Sequence, residues 1–285
     1  MDIQNQQTGT DNALEVLKVK QWEQYGWLLH GFSTRDGGIS QVYGGSTLNL
    51  GWTKEDDSTS VGENRRRFLA AVSGECSRSV LVGVRQIHSN IVQVVTEGAI
   101  KGRLQTEEGK AILEGDGLIT DVPGVLLGVG TADCVPVLVA DVANRVVAAF
   151  HAGWRGTVAR IVERGIAMMQ KEFGSQTGDM VAAVGPSIGP CCYTVGEAVW
   201  SEFGRQLGYA TELFDRPIHS REVRLNLWEA NRRQLLDAGV PEAGISVKRE
   251  CTACARTESG ALRYFSHRGE HGVAGRMLNV IGVAG

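Results

Sequence analysis

The chain is expected to fold as an α/β (α+β) protein, a single layered domain of mixed sheets with flanking helices. Three observations lead there. Short apolar runs rich in β-branched residues recur at 80–85, 125–129, 135–140, 146–150, 180–184 and 277–283. Each has strand length, and several are apolar throughout, as strands buried on both faces are. Other segments carry apolar residues at helical spacing: Val61, Phe68, Leu69 and Val72, then Val158, Ile161, Val162, Ile166, Met169 and Phe173. Strands and helices alternate irregularly, with hairpins among them, which argues against a regular doubly wound sheet.

Taken in order, residues 15–20 and 27–34 read as strands, and 35–51, RDGGISQVYGGSTLNLG, as a glycine-punctuated loop. The helix over 61–72 follows. Residues 80–85 and 91–95 are strands with QIHSN between them, 97–115 is a charged surface excursion, and 125–129 is a further strand. Residues 135–140 and 146–150 form a hairpin around the short polar turn 141–145. The next helix starts near Arg155 and ends at Gly174. Then come a strand at 180–184, the tight loop GPSIGPCC, amphipathic helices at 195–207 and 223–238, and strands at 245–249, 262–265 and 277–283.

Composition bounds the function. A chain of 285 residues can bury a full core. Its 42% apolar and 21% charged residues are ordinary for a globular protein. The 37 glycines exceed the usual share but show no period, which excludes a collagen-like repeat. Net charge is −3 with no basic stripe, so no nucleic-acid partner is expected. No apolar run reaches the ~18 residues of a membrane span. The opening MDIQNQQTGTDNALEVLKVK lacks the apolar core of a secretory signal, so a cytoplasmic location is expected. Residues 1–13 read as a flexible arm and 14–285 as one catalytic domain.

The hairpin at 135–150 brings Cys134 and His151 to the same end of a sheet. A thiol and an imidazole held there are either a Cys–His catalytic pair or two ligands of a soft divalent metal. His88, in RQIHSN, lies at another strand end; a histidine in such a polar turn is commonly a surface residue. Read together, His88, Cys134 and His151 make an N,S,N set with a fourth position open, the pattern of a catalytic zinc site. Arg155 sits in the first turn of a predicted helix, where a cation opposes the macrodipole. It either clamps a phosphate or carboxylate or pairs with an acid such as Asp133. Arg35, beside a glycine turn in STRDGG, is a second candidate clamp. The six cysteines at 76, 134, 191, 192, 251 and 254 are expected as thiols, ligands or core residues. Cys251-x-x-Cys254 has the spacing of half a zinc ribbon, but no second such pair follows. The adjacent Cys191 and Cys192 do not complete it simply, so ordinary thiols are expected there.

HGFSTRDGG, RQIHSN, DGLIT, TADCVPVLVAD, AAFHAGWRGT, GPSIGPCCYTVG and FSHRGEHGVAGR occur in that order from about residue 29 to 283. Together they resemble the YfiH/YlmD family, also called the laccase-domain or multicopper polyphenol oxidase family. The resemblance implies one zinc per chain on His88, Cys134 and His151. It also implies phosphate-dependent cleavage of adenosine, inosine, guanosine or methylthioadenosine to base and ribose 1-phosphate, with accompanying adenosine deamination. Arg35 and Arg155 would serve as phosphate clamps, and Cys134 and His151 would be catalytic, in a monomer or weak homo-oligomer. The fold so implied is similar to that of toxin deamidases of the cysteine hydrolase type. Two departures stand out: residues 115–117 are GDG where the family usually has ADA or ADG, with Asp116 kept, and His267 stands where the family usually has tyrosine. Copper polyphenol oxidase chemistry is disfavoured, because six histidines without HxH pairs cannot supply a blue copper and a trinuclear cluster. A Cys–His amidase acting on cell-wall precursors, with Cys134 as nucleophile and His151 as base, is the alternative enzyme. A zinc-binding partner protein is the non-enzymatic one.

Overall fold

The computed structural model describes residues 14–74, 79–102, 104–106, 109–216 and 222–285. The expected arm at 1–13 lies outside them, as do Cys76 and His219. The strands in chain order are β1 (Val16–Leu17), β2 (Leu28–Ser33), β3 (Asp36–Ser40), β4 (Val80–Gly83), β5 (Val92–Val94), β6 (Gly117–Thr120), β7 (Val125–Thr131) and β8 (Val135–Asp141). They continue with β9 (Val146–Ala152), β10 (Met180–Val184), β11 (Thr194–Val195), β12 (Phe214–Asp215), β13 (Val223–Leu225), β14 (Ile245–Val247) and β15 (Met277–Val283). The helices are α1 (Ser58–Ser73), α2 (Glu97–Lys101), α3 (Trp154–Val158), α4 (Ile161–Phe173), α5 (Glu197–Gln206) and α6 (Leu227–Asp237).

Two mixed sheets make the frame. One has the order β1-β2-β15-β7-β4 and the other β14-β10-β8-β9-β6-β5; a small third sheet is β11-β13-β12. The period of two along each strand explains how they stack. Val137, Val139, Ala148 and Phe150 face outward from β8 and β9 onto α4 and α6, where they meet Ile166, Met169 and Leu235. The alternate residues Leu138, Ala140, Val147 and Ala149 face inward and meet Phe32, Leu127, Val129 and Ile281 of the other sheet. That sheet is covered on its far side by Phe68 and Val72 of α1, against Leu126 and Val280. Helix, sheet, sheet and helix therefore stack as layers around β8 and β9, whose residues are all buried. The layered α/β expectation holds.

The hairpin forms as expected. Val135 pairs with Ala152 and Asp141 with Val146. The Asp141 carboxylate closes the turn by accepting the Ala143 and Asn144 N–H groups, both at 3.0 Å.

Other boundaries differ from expectation for identifiable reasons. The loop at 35–51 contains β3, because Asp36 and Ser40 both pair with Thr47 as the chain doubles back. The helix from Arg155 to Gly174 is two helices. Arg160 stands between them with φ +58°, and the freed Ala159 carbonyl is taken by the Asn90 side chain at 2.9 Å. The helix at 223–238 begins only at Leu227. Asn226 caps it by accepting the Glu229 N–H at 3.1 Å, and the residues before it form β13. Residues 262–265 are not a strand: Tyr264 and Phe265 are fully buried side chains of an irregular segment, so their apolarity marks packing and not a sheet. Residues 15–20 give only the short β1 before a 3-10 turn at Lys20–Gln24.

Phe150 is the largest side chain at the β9–α4 contact and is fully buried. Phe150→Ala is expected to lower unfolding free energy by about 3–5 kcal/mol, read as a shift in the chemical-denaturation midpoint.

Candidate metal centre

The hairpin delivers Cys134 and His151 to one place. Pro136 lies opposite His151 and Val135 opposite Ala152, so Cys134 emerges just before β8 beside Gly153. His88 arrives from the turn between β4 and β5. The ligand-capable atoms of His88, Cys134 and His151 all lie within 4.8 Å of one another. The two imidazoles stand edge to face, 5.0 Å between centroids. A Cβ on residue 153 would come 3.0 Å from Cys134 Sγ and 3.2 Å from His88 Cδ2, so glycine is what lets the three side chains meet.

Asp116 organises this cluster from behind. It is fully buried at the start of β6. Its Oδ1 accepts from the His88 N–H at 3.0 Å and from His151 Nδ1 at 2.8 Å. Its Oδ2 accepts from the Ser89 N–H at 2.6 Å and the Ser89 hydroxyl at 2.8 Å. One carboxylate thus fixes the backbone of the His88 turn and the ring of His151. Donation of Nδ1–H to Asp116 leaves the Nε2 lone pair of His151 for a metal. The turn itself is strained, with His88 at φ +59°. It is held also by Gln86, whose amide donates to the Gly130 carbonyl and accepts the Gly130 N–H, each at 2.8 Å.

Electrostatics favour a thiolate here. Burial alone would raise the Cys134 thiol, but the His151 and His88 rings reverse that and hold it at about 6. Burial alone would lower His151; the Cys134 thiolate and the Asp116 carboxylate push it up to about 9. Asp116 is kept at about 2, against burial, by the His151 and Ser89 donors. The two shifts run in the directions that favour a thiolate–imidazolium pair backed by a carboxylate. Two nitrogen donors and one thiolate, with a carboxylate orienting a histidine from outside, fit a borderline-soft divalent ion such as zinc.

The cluster opens into a cavity of about 670 Å³ whose lining includes Cys134, His151, Tyr193, His267 and the arginines Arg65, Arg268 and Arg276. The two arginines expected as anion clamps are placed differently. Arg35 does not line this cavity. Its side chain is nearly buried in an ion pair with Glu270 at 2.7 Å, donates to the Tyr43 carbonyl and lies 4.8 Å over the Phe265 ring. These contacts engage the Arg35 guanidinium with Glu270, Tyr43 and Phe265. Arg155 is exposed and stacks 4.3 Å over Trp154. It does not pair with Asp133, whose carboxylate accepts from Thr252 Oγ1 at 2.7 Å and the Arg268 N–H at 2.6 Å. Asp133, at φ +90°, is thereby locked beside Cys134. Sequence reasoning missed the organising role of Asp116 and the anion-binding potential of Arg65, Arg268 and Arg276. The one available signal for Asp116 was its survival in a motif that otherwise varied.

Residues 29–284 match the family model described as multi-copper polyphenol oxidoreductase laccase, and the chain belongs to that family. It is 37% identical to the purine nucleoside phosphorylase YlmD of Geobacillus stearothermophilus over 93% of this chain and 97% of that protein. It is 35% identical to the adenosine deaminase RL5 from an unknown prokaryotic organism, over 81% of this chain and 87% of that one. Among solved structures, the hypothetical protein YfiH of Bacillus licheniformis superposes with a TM-score of 0.81 at 33% identity, covering 96% of this chain and 97% of that one.

Two outcomes follow from the geometry. Asp116→Asn removes the charge that orients His151 and is expected to weaken zinc binding roughly 10–100-fold, measured by competition with a chromophoric chelator. In metal-stripped protein, iodoacetamide labelling of Cys134, mapped by mass spectrometry, should reach half its maximal rate near pH 6. Half-maximal labelling near pH 9 would show that the imidazoles do not hold the thiolate.

Proposed function

We propose that this protein is a zinc-dependent purine nucleoside phosphorylase that also deaminates adenosine. The observation that carries the reading is the His88–Cys134–His151 cluster opening into a cavity that also presents three arginines. The names of the relatives support it, since they include both a purine nucleoside phosphorylase and an adenosine deaminase. Adenosine, inosine, guanosine and methylthioadenosine are the proposed substrates. About 670 Å³ is within the ordinary range for a small-molecule site.

His88, Cys134 and His151 would hold one zinc ion, which supplies Lewis acidity toward an oxygen at the cavity face of the cluster. The chain's own residues account for the remainder. Arg268 gives Nη1 to Thr194 at 3.0 Å and is fixed over the Tyr193 ring at 5.3 Å; Arg155, exposed in the first turn of α3, is taken as its partner. They are the proposed phosphate clamp, in place of Arg35. Phosphorolysis develops positive charge on the sugar, and phosphate held by guanidinium groups against C1′ both positions the nucleophile and balances that charge. Tyr193 is pushed up to about 12 by burial and by the Cys134 thiolate, so at neutral pH it stays a phenol able to donate a hydrogen bond to the base. His267 lines the same cavity and offers an imidazole to the substrate, which bears on the choice of nucleoside.

A second reading has its own support. Cys134, His151 and Asp116 form a thiolate–imidazole–carboxylate chain of the kind used by cysteine hydrolases. The approach of His88 to the same sulfur favours metal ligation, and a metal-bound thiolate is not a free nucleophile.

The test is product analysis by chromatography at near-neutral pH. Adenosine with phosphate is expected to give adenine and ribose 1-phosphate, and adenosine alone to give inosine more slowly, with both products lost in Cys134→Ala. Arg268→Ala and Arg155→Ala should each raise the KM for phosphate about tenfold or more, since a charge-assisted bond contributes about 1.5–3 kcal/mol. Arg35→Ala should instead lower stability by about 3–5 kcal/mol, as breaking a buried ion pair does, with the phosphate KM unchanged. Absence of both adenine and inosine, with Cys134 alkylation not slowed by zinc, would put the hydrolase first.

A further inference from the structure

We propose a second metal centre, remote from catalysis in role, in which Cys191, Cys192, Cys251 and Cys254 bind one zinc ion as a tetrathiolate. The four Sγ atoms all lie within 4.8 Å of one another, and those of Cys191 and Cys254 are 3.6 Å apart. Zinc–sulfur bonds of about 2.3 Å in a tetrahedron put the sulfurs about 3.8 Å apart. A disulfide needs about 2.05 Å, and all four cysteines are free thiols. The spacing is thus that of ligands around one ion.

Burial of small apolar side chains does not explain the cluster. Cys191 and Cys254 are exposed and Cys192 is half-buried; Cys251 alone is in the core. Two separate turns instead aim their thiols at one point. In the first, the Cys192 and Tyr193 N–H groups both donate to the Gly189 carbonyl, at 3.0 and 2.9 Å. In the second, the Cys254 and Ala255 N–H groups donate to the Cys251 carbonyl, at 3.3 and 2.9 Å, which brings the i and i+3 thiols to one side. The turns are laced together by the Thr252 N–H on the Ser187 carbonyl at 3.1 Å. The Gly189 N–H donates to Cys251 Sγ at 3.2 Å, a bond that stabilises a thiolate. A Cβ on residue 189 would come 3.2 Å from the Cys251 Cβ and 2.5 Å from Trp228, so the approach of the two turns requires glycine there. The proposal departs from the sequence expectation of ordinary thiols, because the fold brings Cys191 and Cys192 beside the Cys251-x-x-Cys254 pair.

Residues adjoining the ligands form one wall of the catalytic cavity. Tyr193 follows Cys192 and lines the cavity. Thr252 follows Cys251 and holds the Asp133 carboxylate at 2.7 Å. The ion would fix this wall without sharing a ligand with His88, Cys134 or His151. The proposal does not depend on which reaction the cavity carries out.

The test uses full-length Cys134→Ala protein, in which the first centre has lost its only thiolate. Metal-stripped and reduced under nitrogen, it is titrated with cobalt(II). One equivalent is expected to give intense sulfur-to-cobalt charge-transfer absorption, absent when Cys251→Ser and Cys254→Ser are added. Should that variant not fold, wild-type protein is alkylated and mapped. Zinc-loaded protein should protect all four thiols, and chelator should expose them together. Metal analysis of wild-type protein should then find two zinc ions per chain. A Cys134→Ala protein that gives no thiolate–cobalt band, four thiols alkylated at equal rates with and without zinc, disulfides among the four, or iron in place of zinc would each overturn the assignment.

Discussion

The buried carboxylate of Asp116 is the interaction on which the site depends. It receives one ring nitrogen, two well-placed backbone N–H groups and a hydroxyl, so each oxygen is occupied and its charge is balanced from within. Neither histidine could hold its place alone. His88 sits in a left-handed turn that costs backbone energy, and His151 is an imidazole at the end of a strand packed between two layers. The carboxylate repays the first cost through the turn's N–H groups and sets the tautomer of the second. A fully buried acid is normally a liability; here its desolvation is what makes its orientation of the ring strict.

The cluster of His88, Cys134 and His151 also joins the two sheets. Cys134 and His151 belong to the β8–β9 hairpin of the six-stranded sheet. The turn carrying His88 is tied by Gln86 to Gly130 of β7, in the five-stranded sheet. A metal on these three side chains would bridge the layers of the sandwich, and its binding energy would in part be folding energy.

Much of this was legible in the sequence because it rests on local pattern. The runs at 180–184 and 277–283 coincide with β10 and β15, since strands buried on both faces announce themselves as unbroken apolar stretches. The β8–β9 hairpin, and with it the juxtaposition of Cys134 and His151, followed from two such runs around a short polar turn. What failed was set by distant partners. The break at Arg160 is stabilised by Asn90, far back in the chain, and helical periodicity runs through it unmarked. Arg35 and Arg155 looked alike as cations beside glycine, but Glu270 claims one of them from 235 residues away. The arginines that do line the cavity come from α1 and the C-terminal segment, where nothing local distinguishes them from solvated charge. The four-cysteine cluster is of the same kind, because two turns about sixty residues apart in sequence meet only once β10 and its neighbours are assembled.

The excursion between His88 and Asp116 has a consequence of its own. Its two ends are clasped: the Arg85 N–H donates to the Leu113 carbonyl at 2.7 Å, and the Gly115 N–H to the Arg85 carbonyl at 3.2 Å. Within it, Gln105, Gly109 and Ala111 contribute to the cavity wall. The clasped segment therefore carries His88 near its start and part of the cavity wall near its end, with the buried Val92 and Val95 of the core between them. A change of length inside it would move the imidazole and the wall together, so the metal-ligating side chain and the shape of the cavity are set by one stretch of chain.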